Sequence, residues 1–404
     1  MIRKVSVIFI LIATLVANTS IIPVVAAPQK NTSQAATTTA KKEEVTKALE
    51  LKAKAAMLID AATGTIMFEK NSHEELPLAS ITKVMSMLLI MEAIDGGKIS
   101  YEDMVPVSEH SYNMGGSQVY LKPGEEFTVM EMLKAVAIHS ANDAVVALAE
   151  KISGSEEAFV DEMNQKAKKL GMTNTHFLDC NGLTDDGHYS SASDIAKMSA
   201  ELIEKHPKIL EITSIWQDKF RNGQFDLDNT NRLINTYKGA NGLKTGFTTK
   251  AGYCLSASAK RNEMEIIAVV LGEPDSNTRF AEAKKLLDYG FANYEVAKLK
   301  NKGEELGTAE VTKGVDTSVK GILKADVSLM VKKGNKDEIK QNVKMIESIE
   351  APVKQGQKIG EITFEAGGKV IGKEDIVAST EVKKASFVRL FFRMVVGWFG
   401  IGRK

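Results

Sequence analysis

Apolar and polar positions follow different periods in successive parts of this chain. From about Leu51, "AAMLIDAATGTIMFEKN" places two short apolar runs around a Thr-Gly turn, which predicts a β-hairpin. Helical spacing follows. "SITKVMSMLLIMEAIDGG" predicts a helix closed by glycines, "VMEMLKAVAIHSANDAVVALAEKISG" one or two more, and "SEEAFVDEMNQKAKKLGM" another. The polar, glycine-containing "NTHFLDCNGLTDDGHYSSASD" predicts a loop. Strand patterning returns in "GLKTGF", "AGYCLSASA" and "MEIIAVVLG", with "KRNE" as a turn, before a final helix in "TRFAEAKKLLDYGFANY". Strands, then helices, then strands again most simply form one antiparallel sheet with a helical insertion packed against it, an α/β (α+β) fold. That order carries the start of the "SITK" helix and the "KTG" strand to the same sheet edge.

After about Val296 the texture changes to short alternating runs separated by Gly and Lys, such as "ADVSLMVKKG" and "QKIGEITFEAGGKVIG". These predict a small all-β domain over residues 297–380, with the main domain over residues 49–296. Residues 381–404 include "FVRLFFRMVVGWFG", in which Phe387, Leu390, Phe391, Met394, Val395 and Trp398 share one helical face. Arg389 and Arg393 fall on the other side, and no acidic residue follows Glu381. The segment is too short and too charged to span a bilayer comfortably; it predicts an amphipathic helix lying on an anionic membrane surface. At the other end, Arg3 and Lys4 precede an apolar run and then small residues near Ala26. That layout predicts a secretory signal peptide over residues 1–26. Residues 27–48 have almost no large apolar side chains and read as a flexible linker.

With 404 residues, 44% hydrophobic and 26% charged, the chain is of ordinary globular composition. Its formal net charge of zero gives no global attraction to nucleic acid, and none is expected as a partner. Two cysteines, Cys180 and Cys254, are too few for a disulfide scaffold and are read as buried thiols; no zinc-binding spacing occurs.

Three short motifs stand in order: Ser80-Ile81-Thr82-Lys83, Ser140-Ala141-Asn142 and Lys244-Thr245-Gly246. Ser80 and Lys83 share a helix face, so the amine can lie against the hydroxyl. On its own, a Ser-x-x-Lys pattern is expected by chance about once in such a chain. The middle motif is also weak alone, since Ser111-Tyr112-Asn113 fits it, though in what reads as a polar linker. All three in order on the expected elements carry the weight. A serine hydroxyl needs a neighbouring base to act as a nucleophile. Lys83 can be that base only when neutral, and burial together with a second ammonium, Lys244, would favour that form.

Beyond the motifs, "PLASITKVM", "GGSQVYLKPGE", "HSANDAVVALAE", "GMTNTHFLDCNGL", "DGHYSSASDIA" and "GLKTGFT" resemble the serine D-alanyl-D-alanine carboxypeptidases, the low-molecular-mass penicillin-binding proteins. The resemblance is dense over residues 50–295, continues into the small β domain, and includes an ending, "VVGWFG", similar to that family's membrane-anchoring helix. It implies a hydrolase on the outer face of the cytoplasmic membrane that removes the terminal D-Ala from peptidoglycan stem pentapeptides. It further implies a Ser80 acyl-enzyme, inhibition by β-lactams, and no metal or organic cofactor. Residue by residue, it implies Ser140 as a proton relay, Asn142 as an anchor for the peptide backbone, and main-chain N–H groups of Ser80 and Phe247 as the oxyanion hole. Lys244 and Thr245 would hold the substrate's terminal carboxylate, with Arg279 nearby, and Gly246 would leave the strand edge open to substrate.

Two departures stand out: Ala141 replaces the Asp of β-lactamases, and Phe247 follows the third motif where several relatives carry His. The alternatives are a β-lactamase and a non-catalytic β-lactam sensor or scaffold. Against the first, no Glu-x-x-Leu-Asn pattern lies between Asn142 and Lys244.

Overall fold

The computed structural model describes residues 49–184, 186–335 and 338–400, so the leader and linker expected over residues 1–48 lie outside the described residues. At its centre is a five-stranded antiparallel sheet of β1 (Ala55–Asp60), β2 (Ile66–Lys70), β3 (Ala240–Thr248), β4 (Gly252–Arg261) and β5 (Met264–Glu273), ordered β2-β1-β5-β4-β3. The first hairpin joins the last three strands through β1 and β5, with Met57 opposite Val269. Both strands are buried along their length, which explains their continuous apolar runs. Alternate residues serve different layers. Met57, Ile59, Ile267 and Val269 join the helical core, whereas Leu58 and Ile266 lie against Gly290 on the opposite face.

The insertion supplies α1 (Lys83–Asp95), α2 (Asn142–Ser153), α3 (Glu156–Lys169) and α4 (Ala192–Lys205), while α5 (Ser276–Asn293) covers the second face. Helix α1 is buried almost all round and forms the middle of the core. Helix α4 has no counterpart in the expected elements, because its Ser-rich N-cap region continues the polar loop before it; the Ser191 side chain accepts from the Asp194 N–H there. The stretch expected to hold one or two helices contains Val129–Lys134, capped by Thr128, then a five-residue π-turn Ala135–His139 that stops at Ser140 in left-handed backbone. The break comes immediately before α2. Both cysteines are buried and unbridged.

Beyond α5 the chain enters β6 (Tyr294–Lys300), so the boundary expected between residues 296 and 297 falls inside a strand. The further strands are β7 (Glu305–Thr312), β8 (Ser318–Leu323), β9 (Val327–Lys332), β10 (Lys340–Met345), β11 (Ser348–Glu350), β12 (Lys358–Ala366) and β13 (Lys369–Ala378). β6 pairs with β9, and the other six form one sheet ordered β10-β12-β13-β8-β7-β11 around its own core, including Val311, Ile362, Phe364 and Ile376. Val382 and Lys384 bridge back to Val353 and Gly314, which carries this unit past residue 380.

The last helix, α6 (Phe387–Gly400), exposes Phe387, Phe391, Met394 and Trp398 as its pattern implies, but Leu390 and Val395 are only half-exposed. Val388, Phe392 and Val396 are exposed as well, so the apolar surface is broader than one stripe. Arg393 is not a free lipid-facing cation. Its guanidinium donates to the carbonyls of Gly314 (3.1 Å) and Val315 (2.9 Å), tying the helix to the β unit. Among the described residues no helix is long and apolar enough to cross a membrane.

One buried group ties the loop before residue 121 to α2. The Asp143 carboxylate accepts from the N–H groups of Val119 (3.1 Å) and Leu121 (3.1 Å). Asp143→Ala would leave both donors buried without partners, a loss of about 2–4 kcal/mol. Urea unfolding of the variant should show that loss; a change below about 0.5 kcal/mol would contradict the role assigned to this carboxylate.

Candidate active site

Strand β3 is the edge of the central sheet and runs against the short 3₁₀ turn Ala79–Thr82 that precedes α1. The contact depends on Gly246. A Cβ there would stand 2.6 Å from the Leu78 carbonyl oxygen, 3.1 Å from the Ile81 nitrogen and 3.2 Å from the Ala79 Cβ. The glycine therefore lets the third motif close onto the first.

Lys83 is completely buried, whereas Ser80 is partly exposed. The Lys83 Nζ lies 3.0 Å from Ser80 Oγ, 2.5 Å from Asn142 Oδ1 and 2.7 Å from the Asn181 carbonyl oxygen. As an ammonium it can donate to all three. As a neutral amine it has two N–H groups for Asn142 and Asn181, and its lone pair then remains for the Ser80 hydroxyl. Burial pushes the amine from its ordinary value down to about 8, against the opposing pull of the neighbouring Asp179 and Asp143. The second ammonium, expected to depress Lys83, is itself the group that yields. Lys244, also fully buried, is held well below the usual lysine range by burial first and then by Lys83 and Arg279.

Asn142 meets Lys83, Lys244 is within its electrostatic reach, and the remaining motif residues stand beside these two in the chain. Ser140 is nearly buried at the break before α2. The Asn142 amide is committed on both ends, accepting from Lys83 and donating to the Gly115 carbonyl at 2.7 Å, so it orients the amine as well as lining the site. Lys244 donates to the Thr245 carbonyl at 3.0 Å, and the Thr245 hydroxyl to Thr230 Oγ1 at 2.7 Å. Phe247 is exposed and stacks on Tyr253, centroids 4.3 Å apart.

Arg279 is engaged with the backbone of the central sheet. It is 7% exposed, and its Nη1 donates to the carbonyls of Gly246 (3.3 Å) and Cys254 (3.4 Å), bracing β3 and β4. Its guanidinium also lies over the Phe280 ring at 4.5 Å. Burial lowers its pKa to about 10.

Two other residues singled out by pattern are accounted for locally. His139 packs edge-on against Phe225 at 5.2 Å. Ser111 lies in a short helical turn (Glu109–Tyr112), not in a linker, and its hydroxyl completes a capping box with Ser108.

Four residues at the site had no assigned role from sequence: Asn181, through its carbonyl; Thr82, inside the first motif; and Gly182 and His188 behind it. Asn181, Gly182 and His188 stand in "LDCNGL" and "DGHYSS", segments whose only signal was likeness to a family. Among the described residues no group of three or more His, Cys, Asp or Glu is arranged to hold a metal ion.

The arrangement presents a partly exposed hydroxyl, a buried amine able to take its proton, and a second buried lysine at the edge strand. That is a set of groups suited to acyl transfer from a substrate carrying an anionic end.

Comparison with known proteins agrees with this chemistry. A family model described as D-alanyl-D-alanine carboxypeptidase matches residues 38–275, and one described as the C-terminal domain of penicillin-binding protein 5 matches residues 294–384. The D-alanyl-D-alanine carboxypeptidase DacF of Bacillus subtilis (strain 168) is 45% identical over 357 residues, covering 87% of this chain and 92% of that protein. The crystal structure of penicillin-binding protein 5 from Haemophilus influenzae aligns with a TM-score of 0.74 at 33% identity, covering 83% of this chain and 98% of its own. Penicillin-binding protein D2 of Listeria monocytogenes, solved in its ampicillin-bound form, aligns over 60% of this chain and 98% of its own, with a TM-score of 0.56 and 34% identity. Over both its catalytic and its β portions, then, the chain belongs to the D-alanyl-D-alanine carboxypeptidase family.

Proposed function

We propose that this chain removes the terminal D-Ala from peptidoglycan stem pentapeptides by way of an acyl-enzyme on Ser80. The observation that carries this reading is the Lys83 amine, 3.0 Å from Ser80 Oγ with two other acceptors already in place. Ser80 Oγ attacks the carbonyl of the penultimate D-Ala as its proton passes to Lys83 Nζ. The negative oxygen is received by the N–H groups of Ser80 and Phe247. Ser140 passes a proton to the departing D-Ala amine, and water then frees Ser80. Lys244 and Thr245 hold the terminal carboxylate, and Arg279 assists by fixing the strand that carries them. A β-lactam enters by the same attack on its ring carbonyl and leaves a slowly hydrolysed adduct. The exposed ring of Phe247 directly follows the third motif on β3.

The division of labour follows the three units: catalysis in residues 49–296, a spacer in 297–380, and attachment to an anionic membrane surface by the terminal helix. With the leader over residues 1–26, this puts the protein outside the cytoplasmic membrane. Since Arg393 is tied to the β unit, Arg389 and the basic ends of the segment supply the attraction to lipid headgroups.

Incubation with a bis-acetylated Lys-D-Ala-D-Ala peptide and a fluorescent penicillin tests the reading. The wild type should release D-Ala and keep a long-lived penicillin adduct, both absent in Ser80→Ala. Rapid penicillin turnover would instead indicate a β-lactamase, and an adduct without D-Ala release a sensor.

The pH dependence has a definite sign. Lys83 must be neutral to accept the proton, so the acylation rate should climb about tenfold per pH unit below about pH 8 and level off above it. A rate that stays flat between about pH 6 and pH 8 would exclude Lys83 as the base.

Truncation after Lys383 should abolish flotation with vesicles containing phosphatidylglycerol while leaving D-Ala release from the soluble peptide intact. Undiminished flotation of the truncated protein would refute attachment through the helix.

A further inference from the structure

Ala79, the residue before Ser80, has φ +50°, a left-handed conformation that is strained for a residue with a Cβ. Something must hold it there. Its carbonyl accepts the Thr82 hydroxyl at 2.8 Å, and the Thr82 oxygen lies 2.7 Å from His188 Nε2. On the other side of the imidazole, the Leu178 N–H is 3.1 Å from Nδ1 and can only donate. Nδ1 is thus the acceptor, Nε2 carries the ring proton and gives it to Thr82, and the Thr82 hydrogen is left for Ala79.

The surroundings enforce this arrangement. Thr82 is fully buried and His188 is 1% exposed, with the ring edge-on to Phe177 at 5.7 Å. The Asp179 carboxylate lies 3.9 Å from Nδ1 and accepts from the N–H groups of Asn181 (3.0 Å), Gly182 (2.5 Å) and Thr184 (2.7 Å). Gly182, at φ +83°, lies directly over the strained peptide; any Cβ there would overlap the Ala79 carbonyl oxygen.

The Ala79 carbonyl and the Ser80 N–H belong to one planar trans unit and point in opposite directions. Whatever holds the carbonyl also aims the N–H. We propose that His188 and Thr82 are positioning residues for the oxyanion hole: the chain His188 to Thr82 to the Ala79 carbonyl fixes the strained peptide so that the Ser80 N–H faces the developing oxyanion. Hydrogen bonds in series also polarise one another, which strengthens that N–H as a donor. The proposal rests on Ser80 being the acyl-accepting residue. It assigns a role in the reaction to a histidine 106 residues away from Thr82 that touches no substrate.

The test uses the full chain, the bis-acetylated Lys-D-Ala-D-Ala peptide for kcat and KM, the fluorescent penicillin for acylation, and a thermal melt for folding. Thr82→Val removes the hydroxyl at nearly constant volume. It should lower kcat about 10- to 50-fold, somewhat less than outright loss of an oxyanion donor, with KM within about twofold of wild type. Thr82→Ser restores the hydroxyl and should recover kcat to within about threefold. His188→Gln keeps an N–H donor near the Nε2 position and should remain close to wild type. His188→Asn can still meet Leu178 but cannot reach Thr82, and should lose about fivefold or more in kcat. Combining Thr82→Val with His188→Asn should be no worse than Thr82→Val alone, because both break the same chain.

An unchanged kcat in Thr82→Val, failure of Thr82→Ser to restore it, or additive losses in the double variant would overturn the proposal. Should Thr82→Val not fold, the contrast between Gln and Asn at 188 decides in its place, and equal rates for that pair would overturn it. A wild type that takes up no penicillin overturns the Ser80 reading and this inference with it. Acylated wild type with indifferent variants overturns the inference alone.

Discussion

Keeping an amine dry beside a serine is the constraint on which the rest of this structure depends. An ammonium removed from water is unfavourable by several kcal/mol unless its protons are met. The chain meets them with Asn142 from the start of α2 and the Asn181 carbonyl from the loop before α4. Those two segments must therefore converge on the first turn of α1, and the core of the domain is arranged so that they do. Even with these partners burial outweighs compensation. The drop of the Lys83 pKa from 10.5 to about 8 corresponds to about 3 kcal/mol in favour of the neutral form. This makes a base of a residue that in water would be a permanent cation at neutral pH.

The second half of the site is a problem of close approach. Strand β3 carries Lys244, but it can reach the first motif only if its backbone touches the turn Ala79–Thr82, and Gly246 makes that contact possible. Arg279 then holds the same stretch from behind through the carbonyls of Gly246 and Cys254. Its distance from solvent gives it a bracing role, which a surface arginine could not fill. The turn itself is kept in strained backbone by Thr82 and by the close packing of Gly182. Strain of this kind persists where the surroundings over-determine it, and here those surroundings are the loop that also supplies the Asn181 carbonyl.

The β unit shows a different use of cations. Arg393, which helical spacing assigns to a polar face, spends its guanidinium on two backbone carbonyls of the neighbouring sheet. The helix is thus oriented by its own protein while Phe387, Phe391, Met394 and Trp398 stay exposed. A β unit gripping its terminal helix in this way gives that apolar surface a defined direction relative to the sheet.

Much of the molecule was legible in the order of its residues. The hairpin at β1 and β2, the strands β3 to β5 and the helices α1, α3 and α5 follow from local period and turn chemistry, which act over a few residues at a time. So does the set Ser80, Lys83, Ser140, Asn142, Lys244 and Thr245, because motifs with fixed spacing carry their own signal. Less legible were features that depend on partners distant in the chain. Helix α4 was hidden by its polar cap. Gly246 reads as open space until the turn Ala79–Thr82 is placed against it. The hold of Arg279 on β3 and β4 appears only once those strands are placed against it. His188 carries no spacing signal at all: its partners, the Leu178 N–H on one side and Thr82, 106 residues away, on the other, are brought to it only by the fold. Sequence by itself determined which groups are available for acyl transfer and on which elements they ride, since those follow from local backbone preferences. Only the tertiary structure decided which of them face substrate and which hold the others in place, since burial and hydrogen-bond partners exist only once the chain has closed on itself.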